Sequence, residues 1–176
     1  MALLHEGSIS HAGKHLTSRG GIGVKADPPP VLVAALGPQM LKLTGRVADG
    51  TSTWMTGPMT IRDHVCPTIN DAAESAGRPQ PQVITAAPVC ITEDKETAKK
   101  MAMEYFGFYG ELPSYRAMLD REGLENSWDI ALIGSFEEVA DGLQRYVEAG
   151  ATQVVATVFG TGEEQESTIE SLSNLL

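Results

Sequence analysis

The sequence is short of cysteine, of aromatic residues and of positive charge, and it has no long apolar run. Each shortage excludes something. Cys66 and Cys90 have no C-x-x-C spacing, so neither a disulfide framework nor a thiolate zinc site is expected. Their expected role is that of small buried hydrophobes, and the expected compartment is the cytoplasm. Against 23 acidic residues stand only 13 Lys and Arg, a net charge of −10. The basic residues are scattered, with Lys99-Lys100 the tightest pair, so the footprint of a nucleic-acid binder is missing. No stretch is long and apolar enough to span a membrane. The opening MALLHEGS lacks the basic flank and apolar run of a secretion signal. Glycine-rich phosphate loops of the standard kinds are also absent. Gly20-Gly21-Ile22-Gly23 fails the dinucleotide spacing and precedes a proline run instead of joining a strand to a helix.

What is present is a regular alternation. The 176 residues, 42% of them hydrophobic, suit one domain with a core of its own. Residues 1–30 form a patternless leader, a loop or short hairpin ending in Pro28-Pro29-Pro30. Residues 31–176 read as the domain. Val31–Leu36, Thr51–Met55, Gln82–Thr92 and Gln153–Phe159 read as strands, the first buried on both faces and the third interrupted at Pro88. Helices fall between and after them. One carries the apolar stripe Met40, Leu41, Leu43, Val47, and another the stripe Val139, Leu143, Val147. Strand and helix in turn imply a parallel α/β sheet with helix crossovers. A complete (β/α)₈ barrel needs about 250 residues, so four such units would be half of one. On that reading Val33, Val83, Val155 and Val158 are candidates for an apolar inner face.

Two strand-to-helix junctions carry Gly-Pro: Gly37-Pro38 and Gly57-Pro58. Proline in the first helical turn forfeits no hydrogen bond, and the free amides that follow suit an anion. A plain, well-made helix start explains the same residues. Other chemistry-bearing residues have simpler readings. His5, His11 and His15 lack a completing carboxylate or thiolate and read as solvated loop residues, with no metal expected. His64 and Cys66 point to different helix faces and cannot act as a pair. Tyr105, Tyr109 and Tyr115 with Arg116 either line a pocket or pack as buried aromatics. Glu163, Glu164 and Glu166 suit a solvated helix start.

The stretch PPPVLVAALGPQMLKLTGRVADGTSTWMTGP, residues 28–58, resembles the second half of the luciferase-like monooxygenases, and most closely the oxidoreductases that use the deazaflavin coenzyme F420. PVCIT at 88–92, YGELPSYRAMLDREG at 109–123 and IGSFEEVADGL at 133–143 extend the likeness to about residue 160, with Ser135 standing where the family pattern has Asp. The resemblance implies the C-terminal half of a (β/α)₈ TIM barrel, with F420, or alternatively FMN, across the C-terminal mouth. Ala35, Leu36 and Gly37 would line its phosphate-bearing tail. Gln39 and Met40 would donate backbone amides to it, and Trp54 would face a small organic substrate. The family's catalytic acidic and histidine residues lie in a first half with no counterpart here, so no catalytic residue can be assigned. The chain is then either a portion of a longer oxidoreductase or a shortened, non-catalytic relative that assembles with itself or a partner. Half a barrel leaves raw strand edges, which points to a homodimer or higher assembly.

Overall fold

The computed structural model describes residues 2–24 and 26–174. A short helix α1 (Ala2–Glu6) leads into an antiparallel hairpin of β1 (Ser8–Ala12) and β2 (Thr17–Gly21), which forms a two-stranded sheet of its own. His11 lies in β1 rather than on a helix, and His5, His11 and His15 are all exposed.

The remainder is built on a parallel sheet. Its strands are β3 (Leu32–Ala34), β4 (Gly50–Trp54), β5 (Gln82–Ile91), β6 (Leu132–Gly134) and β7 (Gln153–Val158). β3, β4, β5 and β7 are the four expected from the sequence, and they lie side by side in chain order, as barrel strands do. The three-residue β6 is an addition. Along β5 the amide of Gln82 donates to Asp49 of the β4 side, while the Val83 and Val89 carbonyls accept from Thr152 and Phe159 of the β7 side. Thr92 donates to Gly134, so by parity β6 lies on the β4 side. β4 pairs no further than Ala86, and β6 begins opposite Val89. Pro88 falls in that gap. It therefore does not interrupt the strand, because the one backbone donor it lacks has no partner strand to meet.

The helices are α2 (Pro38–Val47), α3 (Pro58–Thr60) continuing through a π turn (Ile61–Val65) into α4 (Cys66–Ser75), α5 (Lys95–Phe106), α6 (Pro113–Glu122), α7 (Phe136–Glu148) and α8 (Gly162–Ser173). The π turn has a local cause. Pro67 cannot donate to the preceding turn, and the Cys66 amide bonds the Ile61 carbonyl five residues back. Asp94 caps α5, and Ser135 with Glu138 makes a reciprocal capping box on α7.

Two apolar clusters fill the structure. One joins Val83 and Ala87 of β5 to Leu41, Ile69 and Tyr146 of the helices. The other gathers Met55, Cys90, Phe106, Leu119 and Phe159. Register places Val33, Thr51 and Val83 in one row and Val89 opposite Val158 on the same face. Val33, Val83 and Val158 thus point to the helix side, and of the four valines only Val155 lies on the opposite, bare face, where it is 43% exposed. For the same reason β3 is not buried on both faces: Ala34 is exposed.

The helix stripes also shift. α2 buries Leu41, Thr44 and Gly45, because Gly45 lets the Ile69 carbonyl and Ala72 approach closer than any Cβ would allow. Met40, Leu43 and Val47 are left exposed. α7 buries Val139, Gly142 and Tyr146, with Leu132 seated against Gly142, and Val147 turns outward.

Candidate functional site

β3 and β4 end side by side, and each leads through Gly-Pro into a helix. After β3 the loop is held from within. Thr51 Oγ1 donates to the Val33 carbonyl at 2.8 Å and lies 3.4 Å from that of Ala35. His64 Nε2 lies 2.8 Å from the Leu36 carbonyl. A carbonyl can only accept, so Nε2 carries the proton. Ala35 is buried, Leu36 half-buried, and Gly37, Gln39 and Met40 face outward. Gly37 has extended backbone, φ −74° and ψ 151°, which any residue can adopt, and a Cβ there would point into open space. No side chain caps this helix start among the described residues. The loop's carbonyl oxygen at Leu36 is thus turned to a protein donor, while the first-turn amides of Gln39 and Met40 are left to the outside. That polarity suits an anion.

The helix start after β4 is different. The Glu122 carboxylate at the end of α6 accepts from the Met59 amide at 3.3 Å and from the Thr60 amide. A Cβ on Gly57 would come within 2.4 Å of that carboxylate. Here the Gly-Pro junction is an internal cap, a job the sequence did not reveal. A cavity of about 380 Å³ lies beside it, with Met59, Glu122, Leu132, Arg145 and Tyr146 among its walls. Burial, with Glu122 nearby, pushes the Tyr146 hydroxyl upward from its ordinary pKa.

Trp54, at the end of β4, stacks edge-on against Phe106 at 5.9 Å and Tyr109 at 6.0 Å, and Tyr109 meets Tyr115 at 5.0 Å. Tyr109 and Tyr115 therefore pack, whereas Tyr105 is half in solvent. Arg116 pairs with Asp120 and donates to the Leu124 and Glu125 carbonyls, which ties the end of α6 to the following loop. Glu164 closes a capping box with Thr161 and also accepts from Thr92. These bonds hold its carboxyl below the usual range. Cys90 is buried, and burial together with Glu164 raises its thiol to about 11. Cys66 is partly buried and its thiol is raised too. Both thiols are free. No group of three or more metal-ligating side chains occurs among the described residues, and no helix there is long and apolar enough to cross a membrane.

Of the residues singled out in the sequence, Ala35, Leu36, Gly37, Gln39 and Met40 form one continuous loop and helix start, and Trp54 ends the adjacent strand. His64, which sequence reasoning set aside as a catalytic partner for Cys66, is instead bonded to that loop. Its signal was Pro67, which forces the π turn that carries it.

The family model for luciferase-like monooxygenase matches residues 1–153. The chain is 26% identical to a 5,10-methylenetetrahydromethanopterin reductase of Methanopyrus kandleri, over 95% of this chain and 56% of the relative. It is 33% identical to an F420-dependent glucose-6-phosphate dehydrogenase of Nakamurella multipartita, over 49% of this chain and 25% of the relative. Among solved structures, an F420-dependent secondary alcohol dehydrogenase in complex with an F420-acetone adduct superposes with a TM-score of 0.77 at 17% identity, covering 99% of this chain and 58% of that one. The chain thus spans little more than half the length of relatives that match nearly all of it, which agrees with half of an α/β barrel. On the strength of the family model and the parallel sheet, this chain belongs to the luciferase-like monooxygenase family.

Proposed function

We propose that this chain is the cofactor-tail-binding half of a deazaflavin-dependent oxidoreductase acting on a small organic molecule. FMN is the alternative cofactor, since flavin monooxygenases share the fold. The observation that carries the reading is the polarity of the loop after β3. Its Leu36 carbonyl is engaged by His64, and its amides at Gln39 and Met40 face outward over an open approach at Gly37. A phosphate-bearing tail fits that arrangement. Ala35, Leu36 and Gly37 would line the tail, Gln39 and Met40 would hold it, and Trp54 would border the substrate side. The cofactor, once bound, supplies hydride transfer; the chain's own share is to bind and orient it. The likeness to a relative named as an F420-dependent glucose-6-phosphate dehydrogenase supports this choice.

The bare sheet face carrying Ser52 and Val155, together with the exposed Met40, Leu43 and Val47 of α2, calls for a covering partner. A homodimer or higher assembly would cover them, in the cytoplasm. Titration of the purified chain with F420, followed by absorbance and fluorescence, tests the cofactor reading. Saturable quenching is expected, and no response to either F420 or FMN overturns it. Light scattering tests the assembly, and a stable dilute monomer overturns that part. The alternative reading is a non-catalytic barrel domain that assembles with itself or with a partner chain. It predicts no turnover even when cofactor binds.

A further inference from the structure

We propose that His64 is a positioning residue for the loop after β3: by donating from Nε2 to the Leu36 carbonyl, it turns that carbonyl inward and leaves the Gln39 and Met40 amides facing an anionic group. The proposal rests on the reading of this loop as the site for the cofactor's phosphate-bearing tail.

Two independent observations meet at this contact. The first is the burial of a polar side chain. His64 is 7% exposed and sits on the helix that follows β4, yet its ring reaches back across 28 residues to the loop after β3. A buried imidazole without a partner would be costly, and the partner it has is the loop's own backbone. The second is the irregular helix that carries it. Cys66-Pro67 replaces the regular bond pattern with a π turn over Ile61–Val65, and Ile61, His64 and Val65 are the residues it buries. Single π turns inside α-helices recur at functional sites.

The electrostatic consequence concerns the loop. A peptide unit is a dipole, and an outward carbonyl beside the helix start would repel the anion that the amides attract. His64 covers Leu36, so that oxygen is bonded within the protein and is not left beside the helix start. Pro38 adds no amide, and the next two donors, Gln39 and Met40, define the positive end. With the Leu36 carbonyl released, the peptide joining Leu36 to Gly37 is free to rotate. The junction has no steric support of its own, since Gly37 touches nothing within 4 Å of a would-be Cβ.

The test compares the wild-type chain with His64→Leu, which removes the donor, and His64→Gln, whose side-chain amide can replace it. Two readouts are taken: F420 affinity by fluorescence quenching, and the response of the Gln39 and Met40 amide resonances to inorganic phosphate. His64→Leu is expected to weaken F420 binding about tenfold and His64→Gln by less than about threefold, the difference of about one hydrogen bond made or lost. The phosphate response should fall in the same order. Equal behaviour of wild type and His64→Leu in both readouts overturns the proposal, as does a His64→Gln variant no better than His64→Leu. If none of the three proteins binds F420 but the phosphate response still orders as stated, the cofactor reading fails and the positioning role stands.

Discussion

The two Gly-Pro helix starts look alike in the sequence and differ in the folded chain. Both open with extended glycine backbone and proline in the first turn. After β4, Glu122 lays its carboxylate on the Met59 and Thr60 amides and fills the space over Gly57. After β3, no carboxylate of the described chain reaches the turn, and the space over Gly37 is open. A helix start is electrically the same object in both places; what differs is whether the fold brings its own anion to it. That contrast makes the first junction a reasonable place for a ligand and the second a structural joint.

The contrast can be broken or sharpened by experiment. Removing the internal anion should have the largest effect. Glu122→Ala leaves two amides without their acceptor and is expected to cost about 2 kcal/mol, read as a lowered urea midpoint at unchanged m. An unchanged midpoint would mean that the carboxylate contributes nothing to the joint. Next comes a matched pair of alanine substitutions. Gly57→Ala forces the Glu122 carboxylate aside and should cost about 1 kcal/mol, within the range for a lost cap. Gly37→Ala meets no atom, so its stability should stay within about 0.5 kcal/mol of wild type, while F420 affinity falls about tenfold. Equal stability losses at the two glycines would erase the distinction drawn here.

A smaller effect is expected from phosphate itself. Inorganic phosphate should shift the amide resonances of Gln39 and Met40 and leave those of Met59 and Thr60 unmoved, until Glu122→Ala frees the second pair to respond. Smallest is the response to acid at a third helix start. Glu164 on α8 has its pKa lowered by Thr92 and by Thr161. Its contribution is therefore complete above the unfolded value near 4.5 and is lost as the pH falls through the lower folded value. Amide exchange at Thr161 and Glu164 should quicken over that window. The start of α2 has no such carboxylate and should show no matching change.

Much of the fold was legible because it is local. Alternating apolar runs and helical patterns located the four main strands and the helices between and after them. Less local features were not. Val31–Leu36 is apolar at every position, so its periodicity cannot say which valines face the helices; only the register with β4 and β5 decides. β6 is three residues long and exists because β4 stops early. Glu122 lies 62 residues from Thr60, a distance over which no spacing argument operates. The candidate loop itself was readable as residues 35–40, but its polarity was not. That depends on His64, which reaches it from another element.

Pro88 has a consequence of its own. It is buried, mid-strand, and faces the interval between one neighbour's end and another's beginning. Any of the other nineteen amino acids there would bring an amide hydrogen to a position where the pairing with β4 has ended and that with β6 has not begun. The imino acid, usually a breaker of sheets, is at this point the side chain that lets a ten-residue strand change companions without leaving a thirsty amide behind.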